Sequence, residues 1–419
     1  MSKVRNLEVH ASQSRRVWLK RVSALAAMQA VGSFAATRPA QAASATTKAR
    51  ASEPLFAYVG TYTPNGLGIH RFQVDPSTGR LDALEPLRGI ENPSCLVVDP
   101  QQRFLFAVSE VKNYSGTTNG SVSAYAIEHG TGSLHLINTV NSQGAGPVYL
   151  SLHPTGRFLL VANYNSGSIA VFPVASDGVL GDACSVQQPQ APAGAQHAAE
   201  GVPGSFAVSD HDGSHAHNIV SSPDGRFVIS TDLGVDRTYI WKFDATTGTL
   251  SANDPPFVAS SAGAGPRHVV FHPSGRYLYE VTEEASTLVC YAYDSARGVL
   301  TQLQSISTLP ASYQGTSFAS ELLLSRDGRF IYVANRLHDT IAQFRVGTDG
   351  RLTRVGETPT GGDYPRVIKF DPSGRFLYSL NQRSDHIAIF AVDAPSGKLR
   401  FTGTYVAVGS PSDIAFATA

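Results

Sequence analysis

His153-Pro154-Thr155-Gly156-Arg157-Phe158-Leu159 is the stretch that decides the fold. Its Pro-x-Gly turn lies between two apolar runs, the pattern of a tight β-hairpin. The same grammar returns at 99–105 (Asp-Pro-x-x-Arg-Phe-Leu), 222–228 (Ser-Pro-x-Gly-Arg-Phe-Val), 272–278 (His-Pro-x-Gly-Arg-Tyr-Leu), 325–331 (Ser-Arg-x-Gly-Arg-Phe-Ile) and 371–377 (Asp-Pro-x-Gly-Arg-Phe-Leu). The six arginines fall at 103, 157, 226, 276, 329 and 375, so the period stays between 46 and 69 residues, that of a four-stranded propeller blade. A third strand such as Ser168-Ile169-Ala170-Val171-Phe172 follows each hairpin, then a turn such as Asp75-Pro76-Ser77-Thr78-Gly79 and an outer strand.

A seventh blade is divided between the chain ends. Residues 409–416 read as a first strand without its hairpin partner, and Leu55-Phe56-Ala57-Tyr58-Val59-Gly60 as a second strand without its predecessor. The spacing thus predicts an all-β, seven-bladed β-propeller over residues 55–419, its last blade closed by N- and C-terminal strands. Such closure leaves no open sheet edge. A solenoid of stacked repeats has the same kind of period but does not need complementary ends.

Composition agrees with many short strands: Gly 38, Pro 24, Phe 20 and Tyr 16, against only two Met. Lys+Arg and Asp+Glu are equal at 33 each, with no long run of one sign in the body, which argues against a nucleic-acid partner. Residues 1–43 resemble a twin-arginine signal peptide. Arg15-Arg16 precedes a weakly apolar stretch from Val22 to Ala36, too short to span a bilayer, and Ala40-Gln41-Ala42 has a small-x-small cleavage form. A linker is expected over 44–54, the twin-arginine export machinery as a partner, and the periplasm as location. Cys95, Cys184 and Cys290 are an odd set without metal-ligand spacing and read as buried free thiols.

In a propeller blade the first strand runs inward along the central channel and the second returns, so the start of one and the end of the other share a rim. Eight residues before each turn glycine (or Gln102) stand Ser94, Val148, His217, Arg267, Ser320 and Arg366; eight after stand Glu110, Tyr164, Leu233, Glu283, Arg336 and Gln382. Charged strand tips are ordinary one at a time. Three arginines, two glutamates and a histidine converging on one concave mouth are a candidate site.

Ser214-His215-Ala216-His217-Asn218, Gly263-Ala264-Gly265-Pro266-Arg267-His268, Thr282-Glu283, Asn335-Arg336 and Tyr364-Pro365-Arg366 resemble the signature segments of the 6-phosphogluconolactonase family of seven-bladed propellers, which also includes carboxymuconate cyclases. The resemblance spans 55–417. It implies hydrolysis of a sugar lactone with no cofactor, and it carries catalytic roles to Glu283, Arg267, His215 or His217, and Arg336. On this reading Glu283 is the general base, a histidine the proton donor, and the arginines hold negative charge. Arg366, Tyr164, Asn163, Gln382, Glu110 and His268 are assigned to substrate contacts. An exported protein favours gluconolactone over its 6-phosphate. A carboxymuconate-type cycloisomerase and a non-catalytic periplasmic binding propeller are the alternatives. The chain departs from the family between Val186 and Ser214, where a Pro/Ala/Gly-rich insertion, expected as a lid or disordered excursion, carries His197 and Asp210-His211-Asp212. Those residues raise the question of a metal, though the resemblance implies none.

Overall fold

Each Pro-x-Gly turn is closed by a hydrogen bond from the glycine N–H to the carbonyl three residues earlier, 2.8 Å for Gly156 to His153 and 3.0 Å for Gly374 to Asp371. The glycines sit at positive φ, 68° at Gly156 and 72° at Gly374, and Gln102 takes the same conformation at 64°. The first residue of the motif ties the turn down: Asp99 Oδ1 accepts from the N–H of Phe104 at 2.7 Å, Ser222 Oγ from Phe227 at 3.0 Å, and Asp371 Oδ1 from Phe376 at 2.9 Å. That is why Asp or Ser recurs there.

The arginine and the aromatic of the motif join blades. Arg103 donates to the carbonyl of Ser176 in the next blade at 3.3 Å, Arg226 to Ser295 at 2.6 Å and Arg329 to Ala394 at 2.8 Å. Beside each arginine, the ring packs onto the outer-turn glycine of the following blade: Phe104 on Gly178, Phe158 on Gly248, Phe227 on Gly298, Tyr277 on Gly350, Phe330 on Gly397 and Phe376 on Gly79. A Cβ on any of these six glycines would lie 2.4–2.6 Å from a ring atom. The position therefore demands glycine twice over, by its positive φ and by the ring.

The computed structural model describes residues 53–208 and 210–419, and the predicted signal peptide and most of the linker lie outside them. Seven four-stranded antiparallel sheets form among the described residues. Blades 1 to 6 start with inner strands Leu96–Val98, Pro147–Leu152, Ala216–Ser221, Pro266–Phe271, Ala319–Leu324 and Pro365–Phe370. Blade 7 joins the ends as expected, with Pro411–Thr418 innermost and Leu55–Thr61 paired between it and Ile69–Val74. Phe56 packs on Gly132 of blade 1, so the split blade makes the same aromatic staple as the other six. Helical structure among the described residues is limited to the 3-10 turns Tyr114–Gly116 and Gln382–Ser384, and no helix is long and apolar enough to cross a membrane. Cys95 and Cys290 are buried free thiols, whereas Cys184 is only half-buried.

The core lies between adjacent sheets. Phe106, Val108, Leu159 and Val161 pack blade 1 on blade 2, and Tyr378, Leu380, Ala57 and Ile414 pack blade 6 on blade 7. One polar group is sealed between blades 3 and 4. Glu280 is fully buried and accepts hydrogen bonds from the hydroxyls of Thr238, Ser260 and Tyr291, the last at 3.2 Å. Burial pushes its carboxyl from 4.5 up to about 7 despite these hydroxyls. Because the folded value is the higher one, Glu280 contributes stability that is fully present below 4.5 and lost as pH rises to about 7. Unfolding free energy should fall by up to about 3 kcal/mol across that window from this group. Glu280→Gln should flatten the curve and exceed the parent above pH 7 in urea melts; an unchanged profile would refute the assignment.

Candidate active site

The offset rule finds its physical basis in strand pairing. Pro266 pairs with Thr282, Pro365 with Asn381, Pro147 with Asn163 and Ala216 with Asp232, and in each pair the register slips at the next residue of the inner strand. Arg267, Arg366, Val148 and His217 stand at those bulges, which re-aim a side chain locally. Glu283, Gln382, Tyr164 and Leu233 each follow the last residue of the returning strand. The two sets meet. A cavity of about 190 Å³ is lined by Glu110, Val148, Tyr164, His217, Glu283, Arg336 and Arg366. Beneath it the channel narrows to a space of about 20 Å³ reached by Arg267, His268, Glu321, Lys369 and Asp413, with His217 and Arg366 bordering both.

Glu283 lies between two guanidinium groups. Its Oε2 accepts a hydrogen bond from Arg267 Nε at 2.8 Å and forms an ion pair with Arg336 Nη2 at 2.6 Å, and all three side chains are nearly buried. Burial alone would raise the carboxyl, but Arg336 and Arg267 outweigh it and hold Glu283 below its ordinary range. Arg336 also donates to Tyr364 Oη at 3.1 Å and to the Phe318 carbonyl at 3.3 Å, with the Tyr364 ring 5.1 Å away. Arg267 donates from Nη1 to the Ser320 carbonyl at 2.5 Å and to His268 Nε2 at 3.2 Å. Since arginine can only donate, His268 Nε2 accepts and its Nδ1–H donates to Glu321 Oε1 at 2.9 Å. Burial lowers His268 to about 4, so this ring is a neutral strut under Arg267 and not a wall of the upper cavity.

The histidine pair separates. His215, assigned a catalytic role from sequence, has both ring nitrogens engaged, Nδ1 with the Tyr164 carbonyl at 2.9 Å and Nε2 with Asp212 Oδ1 at 2.8 Å. Its ring packs on Tyr164, centroids 4.7 Å apart, and it does not line the cavity. His217 does line it, and its Nδ1 is buried without a hydrogen-bond partner among the described residues. Burial first, then Arg267, His268, Arg366 and Arg336, push its pKa well below 6.5, leaving a neutral imidazole at pH 7.

Besides His268, two more of the expected substrate contacts are placed elsewhere. Asn163 turns its amide to the Ser142 carbonyl at 3.0 Å and Ser168 Oγ at 3.1 Å, pinning strands beside the rim. Gln382 occupies its rim offset but is not among the cavity-lining residues; what the structure gives it is a backbone bond to Tyr364 at 3.1 Å. Arg366 faces the cavity with no hydrogen bond or ion pair among the described residues, its guanidinium 5.1 Å from the centre of the Tyr62 ring. Tyr62 donates to Glu110 Oε2 at 2.6 Å and was not singled out from the sequence. Its blade has no hairpin turn to count from, yet Thr61 pairs with Pro411 as Thr282 pairs with Pro266, so Tyr62 and Ser412 hold the two rim positions of the split blade.

The insertion is a strap. After the outer strand Ser185–Gln187 it bonds Gly194 to Gly234 at 3.0 Å, Ala199 to Ala262 at 2.8 Å and Phe206 to Thr316 at 3.0 Å. It thus crosses blades 3 and 4 and reaches the loop before blade 5, then returns Asp210 beside the Tyr164 phenol and Asp212 to His215. Burial and the Glu283 and Asp210 carboxylates keep that phenol protonated. Among the described residues no group of three or more His, Cys, Asp or Glu side chains is arranged to hold a metal ion.

Residues 56–416 match a family model described as lactonase, 7-bladed beta-propeller. The 6-phosphogluconolactonase of Bacillus subtilis is 31% identical over 361 residues, 86% of this chain and 97% of that protein. The 6-phosphogluconolactonase of Formosa agariphila is 28% identical, over 82% of this chain and 94% of that one. The solved structure of a periplasmic gluconolactonase from Pseudomonas aeruginosa superposes with a TM-score of 0.78 at 35% identity, over 87% of this chain and 99% of that chain.

Proposed function

The chain belongs to the seven-bladed β-propeller lactonase family, and from that premise we propose that it hydrolyses an unphosphorylated aldonolactone of the glucono type to the aldonic acid in the periplasm. The observation that carries this reading is the wall of the cavity, where neutral His217 stands near an Arg366 that makes no direct ion pair among the described residues. At about 190 Å³ the cavity is smaller than the roughly 300–1,000 Å³ of drug-sized ligand sites and suits one sugar ring.

Water attacks the lactone carbonyl and gives a proton to the His217 imidazole. The carbonyl oxygen gains charge facing Arg366 and Arg336, the ring C–O bond breaks, and the imidazolium returns its proton to the departing alkoxide. The sequence pointed to Glu283 as base. Two guanidinium groups on one of its oxygens favour a different role, that of anchoring Arg267 and Arg336. His217 is a weak base at rest because the arginines depress it, but the oxyanion that forms in the same step offsets their field and raises its basicity. Glu283 already offsets one of the two positive charges of Arg267 and Arg336, which disfavours the dicarboxylate substrate of a carboxymuconate-type cycloisomerase. The Arg15-Arg16 signal and the periplasmic relative support export.

Acid release from glucono-1,5-lactone, followed in a pH-stat against spontaneous hydrolysis, tests the proposal. A protein-dependent rate unchanged by EDTA is expected. No rate above the spontaneous one would sink the reading, and loss of rate on chelation would move the chemistry to a metal.

A further inference from the structure

In a ring of seven blades, blade 4 with Arg267 and Glu283 stands opposite blades 7 and 1, which supply Tyr62 and Glu110. The mechanism uses neither. Glu110 lines the cavity, and its Oε2 is fixed by the Tyr62 hydroxyl at 2.6 Å. Its other carboxyl oxygen has no hydrogen-bond partner among the described residues. The Tyr62 ring in turn carries the Arg366 guanidinium at 5.1 Å. Glu110, Tyr62 and Arg366 thus form one connected wall with one positive and one negative group.

Resting on the lactonase reading, we propose that Glu110, held by Tyr62, sets the substrate class of this site: it accepts a hydroxyl of the lactone and rejects a phosphate ester at that place. A hydroxyl can donate to the open oxygen of the carboxylate. A phosphate offers no proton when fully ionised, carries up to two negative charges, and would bring them against a carboxylate that the Tyr62 hydroxyl holds in place. Arg366 alone cannot balance both Glu110 and a dianion. A carboxylate placed against an unwanted anion is discrimination by repulsion, which works even where the attractive contacts to both substrates are alike.

The experiment compares kcat/KM for glucono-1,5-lactone and 6-phosphoglucono-1,5-lactone in the parent and in Glu110→Gln, which keeps the shape and removes the charge. The ratio of the two constants should shift toward the phosphorylated lactone by about tenfold or more, mostly through KM. Inhibition of gluconolactone hydrolysis by inorganic phosphate gives a second measure: weak in the parent, competitive and at least several-fold stronger in the variant. Should Glu110→Gln fail to fold, Glu110→Ala carries the same two measurements. A parallel drop on both lactones with phosphate inhibition unchanged would overturn the proposal and leave the lactonase reading intact. A parent inactive on both lactones would overturn the lactonase reading itself.

Discussion

Replacing His217 by Asn should lower kcat for gluconolactone by about 10²–10⁴ while KM moves little, the usual range for loss of a positioned acid–base group. The effect is expected to be large because the other candidates in the wall are committed. Glu283 is braced by Arg267 and Arg336, Glu110 is held by Tyr62 on the opposite wall with its other oxygen assigned to a substrate hydroxyl, and the Tyr164 phenol is held protonated by burial and nearby carboxylates. Asn preserves a polar group in the bulge without accepting the water proton. The pH profile carries a second reading. Burial and four charged or ionisable neighbours depress His217, so its active neutral form persists until pH falls well below 6.5. The acid limb of kcat/KM should therefore lie below the ordinary histidine range. If Asn retained near-parental turnover, or if the limb came at or above pH 6.5, His217 would not be the base.

The fold was legible because the residues that repeat are those that join neighbours. Arg103, Arg226 and Arg329 each bridge to the following blade, and Phe104, Phe158 and Phe376 each pack on its glycine, so the period and the ring closure appear in one motif. The rim was legible for a related reason: turn, pairing and bulge fix the number of residues from Gly275 to Arg267 and Glu283, leaving only side-chain identity to vary. Tyr62 escaped because the chain ends interrupt its hairpin and remove the landmark. Choosing between His215 and His217 required the path of the strap, since Asp212 occupies His215, and no local rule places a Pro/Ala/Gly-rich segment. Counting offsets also gives which residues share a rim but not which of them bond across blades. For that reason Glu283 read as a base, although Arg336 of the next blade claims the same oxygen as Arg267.

That bond across blades ties the stability of the ring to the chemistry of the site. Glu283→Gln should cost about 3–5 kcal/mol of unfolding free energy, because it leaves the buried Arg267 and Arg336 facing each other without their shared carboxylate. Arg267 is already held down to about 10 by burial and by Arg336, with Glu283 opposing the shift, so removing the anion increases the strain between the two cations. A smaller loss is expected for the pair Arg267→Leu with Glu283→Gln than for the sum of the single changes, with a coupling of about 1–3 kcal/mol in a double-mutant cycle. Turnover in Glu283→Gln, assayed where the protein is still folded, should fall by about 10²–10³ as Arg336 loses the position from which it faces the developing oxyanion. Urea melts of the four proteins decide the energetic part. Additive losses, or a Glu283→Gln midpoint equal to that of the parent, would mean that the guanidinium groups are held by Ser320, Phe318 and Tyr364 alone and that Glu283 is available for proton transfer after all.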